Sequence, residues 1–254
     1  MSKLIATAPA LILATTAAPA YAQSFDWTGF YAGAHGAVVD ADPQWDGANI
    51  YQTVDGGEGG FTTTEESDAI SESPGSSEIG GGARIGFNWQ AGAVVLGAEA
   101  DATFFDFDGI ATQTSGPASY TVASHASNLQ TVRARAGVAF GSAMLFATGG
   151  VAFSNLEHSL TATNTSEVLV DGGEGGTTVE ETTANLASVA DSGTGWAFGG
   201  GGEVRLTENL TIAATVLHVD FGSETLSDSE APSSVSATVD TSLLVGMLGF
   251  NFTF

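Results

Sequence analysis

Strong bases are scarce in this sequence, and their placement carries the first chemical signal. The only lysine is Lys3, so beyond it the fixed positive charges are Arg84, Arg133, Arg135 and Arg205. Arg133 and Arg135 are separated by one residue, as are Glu99 and Asp101, and Glu203 and Arg205. Side chains spaced this way share one face of an extended strand. Guanidinium forks bridging carboxylates form charge-assisted hydrogen bonds that hold both partners in a fixed geometry. Arg84, Glu99, Asp101, Arg133, Arg135, Glu203 and Arg205 are therefore read as one charge network. Arg84 and Glu99 are equidistant from the centre of a short turn at 90–93 and are expected to face each other, with Arg133 and Arg135 reaching Glu99 and Asp101. Such a network either locks an interior or lines a charged eyelet, and the first reading is favoured.

A second candidate lies in two polar stretches. Val54-Asp-Gly-Gly-Glu-Gly-Gly60 recurs as Val170-Asp-Gly-Gly-Glu-Gly-Gly176, each followed by a Thr/Glu-rich run. Glycine permits the positive φ of tight tips, while the flanking Thr and Val favour strand. Two similar hairpin tips rising from extended strands are predicted. Oxygen-rich tips suit hard cations, which makes Asp55, Glu58, Asp171 and Glu174 candidate cation contacts. Their spacing matches neither an EF-hand loop nor a glycine-rich nonapeptide repeat, so solvated acidic loops are the preferred reading.

Other chemistries are poorly supported. His35, His125, His158 and His218 form no ligand-spaced pair, and cysteine is absent, which excludes disulfides and thiolate metal sites. The glycine run at 199–202 falls inside a strand pattern rather than in a phosphate-binding loop. No catalytic residue, cofactor or resident metal is assigned, and the chain is not expected to be an enzyme. With 5 Lys+Arg against 29 Asp+Glu, a net charge of −24, it has no basic patch to neutralise nucleic acid phosphates.

The elements that must carry these residues follow from period two. Eight alternating segments are predicted at about 27–39, 79–89, 94–104, 130–140, 144–153, 195–206, 210–221 and 243–254. Long polar stretches and short turns strictly alternate between them. Each segment presents an apolar face, and the opposite face carries the arginines. In the last one, Phe250, Phe252 and Phe254 share a side. No stretch offers the ~18 consecutive apolar residues of a membrane helix. A chain with oily outer faces can satisfy its backbone in lipid only by closing a ring. The fold class is therefore all-β: an eight-stranded antiparallel up-and-down transmembrane barrel, residues 23–254, with long extracellular loops that could extend as hairpins. A β-sandwich is the alternative, disfavoured because its loops need not alternate in length. Residues 1–22, with basic Lys3, an apolar run and Ala20-Tyr-Ala22, read as a secretory signal peptide.

Six motifs in order carry a family likeness: Trp27-Thr-Gly-Phe-Tyr31, Gly86-Phe-Asn-Trp-Gln90, Leu96-Gly-Ala-Glu-Ala-Asp101, Arg133-Ala-Arg-Ala-Gly137, Thr148-Gly-Gly-Val-Ala-Phe153 and Gly195-Trp196. Together they resemble the small porin-family outer-membrane β-barrel proteins of alphaproteobacteria. Where that family shows a Glu-Tyr pair, this chain has Thr215-Val216. The resemblance implies a bacterial outer-membrane location after export, outer-membrane lipid and lipopolysaccharide as partners, and recognition by the barrel-assembly machinery, with terminal Phe252 and Phe254 as the signal. It further implies a structural or surface-interaction role in the envelope. The alternatives are a narrow porin passing ions or small solutes, and ligand binding through the acidic loops. Divalent cations could bridge those loops to lipopolysaccharide phosphates.

Overall fold

A computed structural model describes residues 25–55, 61–66, 75–115, 118–169, 177–228 and 233–254. The chain forms β1 (Gly29–Asp55), β2 (Phe61–Glu66), β3 (Ser76–Ala91), β4 (Val94–Ser115), β5 (Ala118–Phe140), β6 (Ala143–Leu169), β7 (Thr177–Arg205), β8 (Leu210–Asp228) and β9 (Ser233–Thr253). All pairings are antiparallel, and β1 bonds to both β3 and β9. Eight strands thus close a ring, while β2 is a short additional strand on the upper part of β1. Closure leaves no unpaired edge at the level of the ring, which lipid requires.

Two of the ring's hairpins turn on glycine. Gly92 and Gly141 sit at φ 63, where an L side chain is strained, and the flanking pairs Ala91 with Val94 and Phe140 with Ala143 close two-residue turns. The first turn corrects one expected contact. It is centred between Gly92 and Ala93, so Arg84 lies opposite Asp101, and Glu99 lies opposite Gly86. The slip is two residues along the strand, which preserves the face.

Around the ring the outward positions are apolar and exposed, among them Phe30, Ile85, Leu96, Val132, Leu145, Phe198, Val216 and Leu248. Trp89, Phe140, Trp196 and Phe252 lie near the margins of this band, as interfacial aromatics do. Arg84, Arg133, Arg135 and Arg205 all point inward and are no more than 9% exposed.

The strands continue well past the band: the stretch expected as a loop at 105–128 is largely paired hairpin, while β6 with β7 and β1 with β2 rise toward the repeated stretches at 170–176 and 54–60, in line with the two hairpins that the repeat predicted. β4 and β5 remain bonded up to Ser115 and Ala118, and β6 and β7 up to Leu169 and Thr177. What changes is the sign of the alternation. In β4, apolar Phe104 faces out; then Phe105 and Phe107 face in while Asp106 and Asp108 face out. Water has replaced lipid as the outer solvent, and apolar residues move to the inside. Bulges cluster near this transition, at Phe104/Phe107 in β4, Ala126/Leu129 in β5 and Asp220/Ser223 in β8. An inserted residue bends and twists a strand, and these bulges redirect the wall.

Above the transition the ring divides. The last pair of β3 with β4 is Gly81 with Phe104, and the last of β7 with β8 is Trp196 with Asp220. One leaf is then β4–β5–β6–β7; the other is β8–β9–β1, with residues 76–80 of β3 and, higher up, β2 along the remaining side of β1. Their inner faces meet in one buried cluster that includes Phe105, Phe107, Leu129 and Leu156 from the first leaf and Val39, Val219, Leu243 and Val245 from the second. Each such side chain contributes about 1.5–3 kcal/mol when fully buried. The upper interior is therefore packed as in a sandwich, and the charge network does not fill the whole lumen as expected.

Candidate functional site: a charged layer inside the ring

The charged side chains gather in the lower part of the ring. Glu99 and Arg133 are cross-strand partners in β4 and β5, as are Asp101 and Thr131. Arg133 Nη2 donates to Glu99 Oε1 at 2.6 Å and to Asp101 Oδ2 at 2.5 Å. Thr131 Oγ1 donates to the same Asp101 oxygen at 2.6 Å. Arg135 extends the network around the ring: Nη2 donates to Glu203 Oε1 of β7 at 2.7 Å, and Nη1 to Tyr31 Oη of β1 at 2.9 Å. Tyr31 in turn donates to Glu99 Oε2 at 2.7 Å. Strands β1, β4, β5 and β7 are tied together by one set of buried hydrogen bonds.

Arg84 and Arg205 stand apart from it. Arg205 lies at the turn end, where Nη1 donates to the Glu208 carbonyl at 2.9 Å and the guanidinium sits 4.8 Å above the Trp27 ring. Arg84 is buried, yet among the described residues none of its guanidinium nitrogens has a hydrogen-bond partner. Asp101 Oδ1, which belongs to its register partner, is also unpaired.

Several participants escaped the sequence reading. Phe146 faces inward on β6, whose two faces are both apolar, and lies 4.0 Å beneath the Arg135 guanidinium. Tyr31 and Asn251 also line the layer; Asn251 Nδ2 donates to Glu203 Oε1 at 3.5 Å. Tyr31 had a usable signal, since Phe30 and Tyr31 must face opposite ways and the hydroxylated ring suits the polar side. Glycine makes room for these rings. A Cβ at Gly86 would lie 2.3 Å from the Tyr31 hydroxyl, and one at Gly201 would lie 2.8 Å from Phe146.

Apolar side chains close the layer at both ends. Trp27, Val95, Met144 and Phe146 form a buried cluster toward the turn end, and the inter-leaf core lies on the other side. Above that core is a small polar relay. Trp45 Nε1 donates to Ser124 Oγ at 3.2 Å, Ser124 lies 3.0 Å from His158 Nδ1, and Thr241 Oγ1 lies 3.4 Å from His158 Nε2. It crosses between the leaves, because Trp45 and Thr241 belong to one and Ser124 and His158 to the other. Burial depresses the His158 pKa to about 4. Beyond the other end of the ring, Asp26 is held below its ordinary value by hydrogen bonds from Thr28, whose backbone N–H lies 2.9 Å from Oδ1.

Of the candidate cation contacts, Glu58, Asp171 and Glu174 lie outside the described residues, and Asp55 is described only as the backbone end of β1. Phe252 and Phe254 project outward at the turn end with ring centroids 5.4 Å apart, and the Phe254 N–H donates to the Phe30 carbonyl at 2.9 Å. His218 sits on the outer wall, its ring 5.0 Å from Phe198. On the outer wall just above the apolar band, Asp106, Asp108 and His125 bring three ligand-type atoms within 4.8 Å of one another.

The chain is 27% identical over 228 residues to the 31 kDa outer-membrane immunogenic protein of Brucella melitensis biotype 1, covering 85% of this chain and 79% of that protein. The protein of the same description from Brucella suis biovar 1 matches equally. Among solved structures it is similar to Ail, the attachment invasion locus protein of Yersinia pestis, at 12% identity and a TM-score of 0.38, covering 89% of this chain and 99% of that one. Neisserial surface protein A aligns at 10% identity and a TM-score of 0.34, covering 89% and 98%. Residues 8–252 match the family described as the outer membrane protein beta-barrel domain. That span takes in the complete eight-stranded ring, its outward apolar band and its inward arginines, so the chain belongs to this family and is a protein of the Gram-negative outer membrane.

Proposed function

We propose that the chain is a non-enzymatic surface protein whose barrel is a sealed anchor and whose raised leaves are the working part. The observation that carries this reading is the closure of the charged layer by apolar side chains at both ends. An ion entering from either side would have to shed its water against Phe105, Phe107 and Leu156, or against Trp27 and Met144. Desolvating a charge without a partner is prohibitive, so the arginine network acts as a brace for the wall. Outer-membrane lipid and lipopolysaccharide surround the band, the barrel-assembly machinery reads Phe252 and Phe254, and the acidic stretches around Asp55, Glu58, Asp171 and Glu174 are solvated, with only weak divalent-cation contact there.

A narrow porin is the second reading. It draws support from the unpaired guanidinium of Arg84, since a buried group of that kind is commonly satisfied by water. Planar-bilayer recordings on the purified barrel separate the two. The sealed anchor gives no unitary current steps, whereas reproducible, voltage-independent steps that change in size when Arg84 is replaced would overturn it.

A further inference from the structure

We propose that the opening between β7 and β8 is a docking edge for an extended, basic segment of another protein, taken up there as an added strand. The proposal deepens the surface-interaction reading above and rests on it. Past Trp196 and Asp220 the two strands part. Among the described residues β8 then continues to Asp228 bonded only to β9, and the rest of β7 is bonded only to β6. Along these stretches neither strand has a second strand partner among the described residues, which is the geometry that accepts an incoming strand.

The parting is built into β8. Its bulge spans Asp220 to Ser223 opposite Ser242 and Asp240. Gly222 takes φ 73 there, a conformation costly for any L side chain. Asp220 Oδ1 accepts the Gly222 N–H at 2.7 Å, and Ser223 Oγ pairs with Asp240 Oδ1 at 2.5 Å. Between the two edges lies a cavity of about 180 Å³ lined by Gly193 of β7, Phe221 and Glu224 of β8, and Leu156 and Val239 behind them. A docked strand alternates its side chains. One apolar side chain would enter toward Leu156, Phe221 and Val239, and its neighbours would stay at the acidic rim.

Charge selects the occupant. Asp220 and Asp240 are exposed beside the opening, and Glu224 lines it. All four arginines are buried in the ring, and the whole chain carries −24. A second copy of this chain or an acidic peptide would be repelled, while a basic strand would be steered in.

The test uses the full-length exported protein in lipid nanodiscs and a set of labelled decapeptides alternating lysine with valine, leucine or phenylalanine. At least one is expected to bind saturably, shifting the amide signals of Gly193 and residues 223–226 and leaving the turns at Gly92 and Gly141 unchanged. N-methylation of alternate peptide nitrogens, which removes strand donors but not charge, is expected to weaken binding at least tenfold. Glu224→Gln with Asp240→Asn is expected to do the same, with amide spectra otherwise unchanged. Equal binding of the methylated peptide overturns the proposal, as does absence of binding by the whole set. Dimers forming without peptide would overturn it too. Conductance measured on the same preparation keeps the readings apart: a closed barrel that binds no basic peptide sinks the docking edge alone, whereas a conducting barrel that binds one sinks only the sealed lumen.

Discussion

Arg133 is the residue on which the ring's interior depends most. Its guanidinium serves both Glu99 and Asp101, and all three side chains are out of contact with water. Removing one member of a buried ionic set strands the others, at a cost of about 3–5 kcal/mol. Arg133→Met is therefore expected to destabilise the barrel by that order, read as a lower urea midpoint in tryptophan fluorescence. Arg84→Met should cost far less or stabilise, because no hydrogen-bonded partner is left behind. His158 gives a second prediction. With its folded pKa at about 4 and an unfolded value near 6.5, it stays neutral in the folded leaves while the unfolded chain takes up a proton. Stability is complete above about pH 6.5 and declines as pH falls toward 4, after which it levels. Amide exchange in the upper parts of β5, β6 and β9 should quicken over that window, and the response should vanish in His158→Phe. A window unchanged in that variant would refute the assignment.

At the scale of the strand, alternation does most of the work, and its sign reports the solvent outside. Leu248 lies midway along the apolar outer face of β9, between Leu244 and Phe252. Leu248→Arg should cost about 2–4 kcal/mol, as expected for a cation at the lipid midplane. The same change at Thr225, on the exposed face of β8 beyond the bulge, should cost little. Folding titrations into lipid vesicles would check the contrast. Strand parity was legible in the sequence, and with it the inward placement of Arg84, Arg133, Arg135 and Arg205. Strand length was legible only where the repeated stretches at 54–60 and 170–176 marked hairpins, and not over 105–128. Above the band a wet outer face and an apolar inner one look like a polar loop when the expected pattern is oil outside, as Asp106-Phe107-Asp108 illustrates. Registers set by a left-handed glycine, such as that at Gly92, also escape counting, since a shift of two residues leaves every face unchanged. The position of Phe146 was hidden because both faces of β6 are apolar, so neither could be assigned to the lumen.

For the whole molecule, charge separation is the governing fact. The four arginines are enclosed in the ring, while Asp106, Asp108, Glu157, Asp220 and Asp240 lie on the exposed outer surface. Lipopolysaccharide phosphates are also anionic, so direct contact at that height is repulsive, and the proposed divalent bridging would relieve it. Association with lipopolysaccharide-containing vesicles should therefore fall severalfold on chelation and return with millimolar calcium, whereas added monovalent salt should not restore it. Sedimentation of vesicles with bound protein would measure this, and indifference to the chelator would remove divalent bridging from the account.

The reversal of inside and outside at Phe104 and Phe105 also has a mechanical consequence. It paints a waterline on the wall: sinking by one pleat would drag Asp106 and its neighbours into oil, and rising by one would lift Phe104 and Trp196 out of it. Either displacement is uphill, so the molecule rides at a fixed draught with little freedom to bob. A bilayer of different thickness would have to stretch or thin around it.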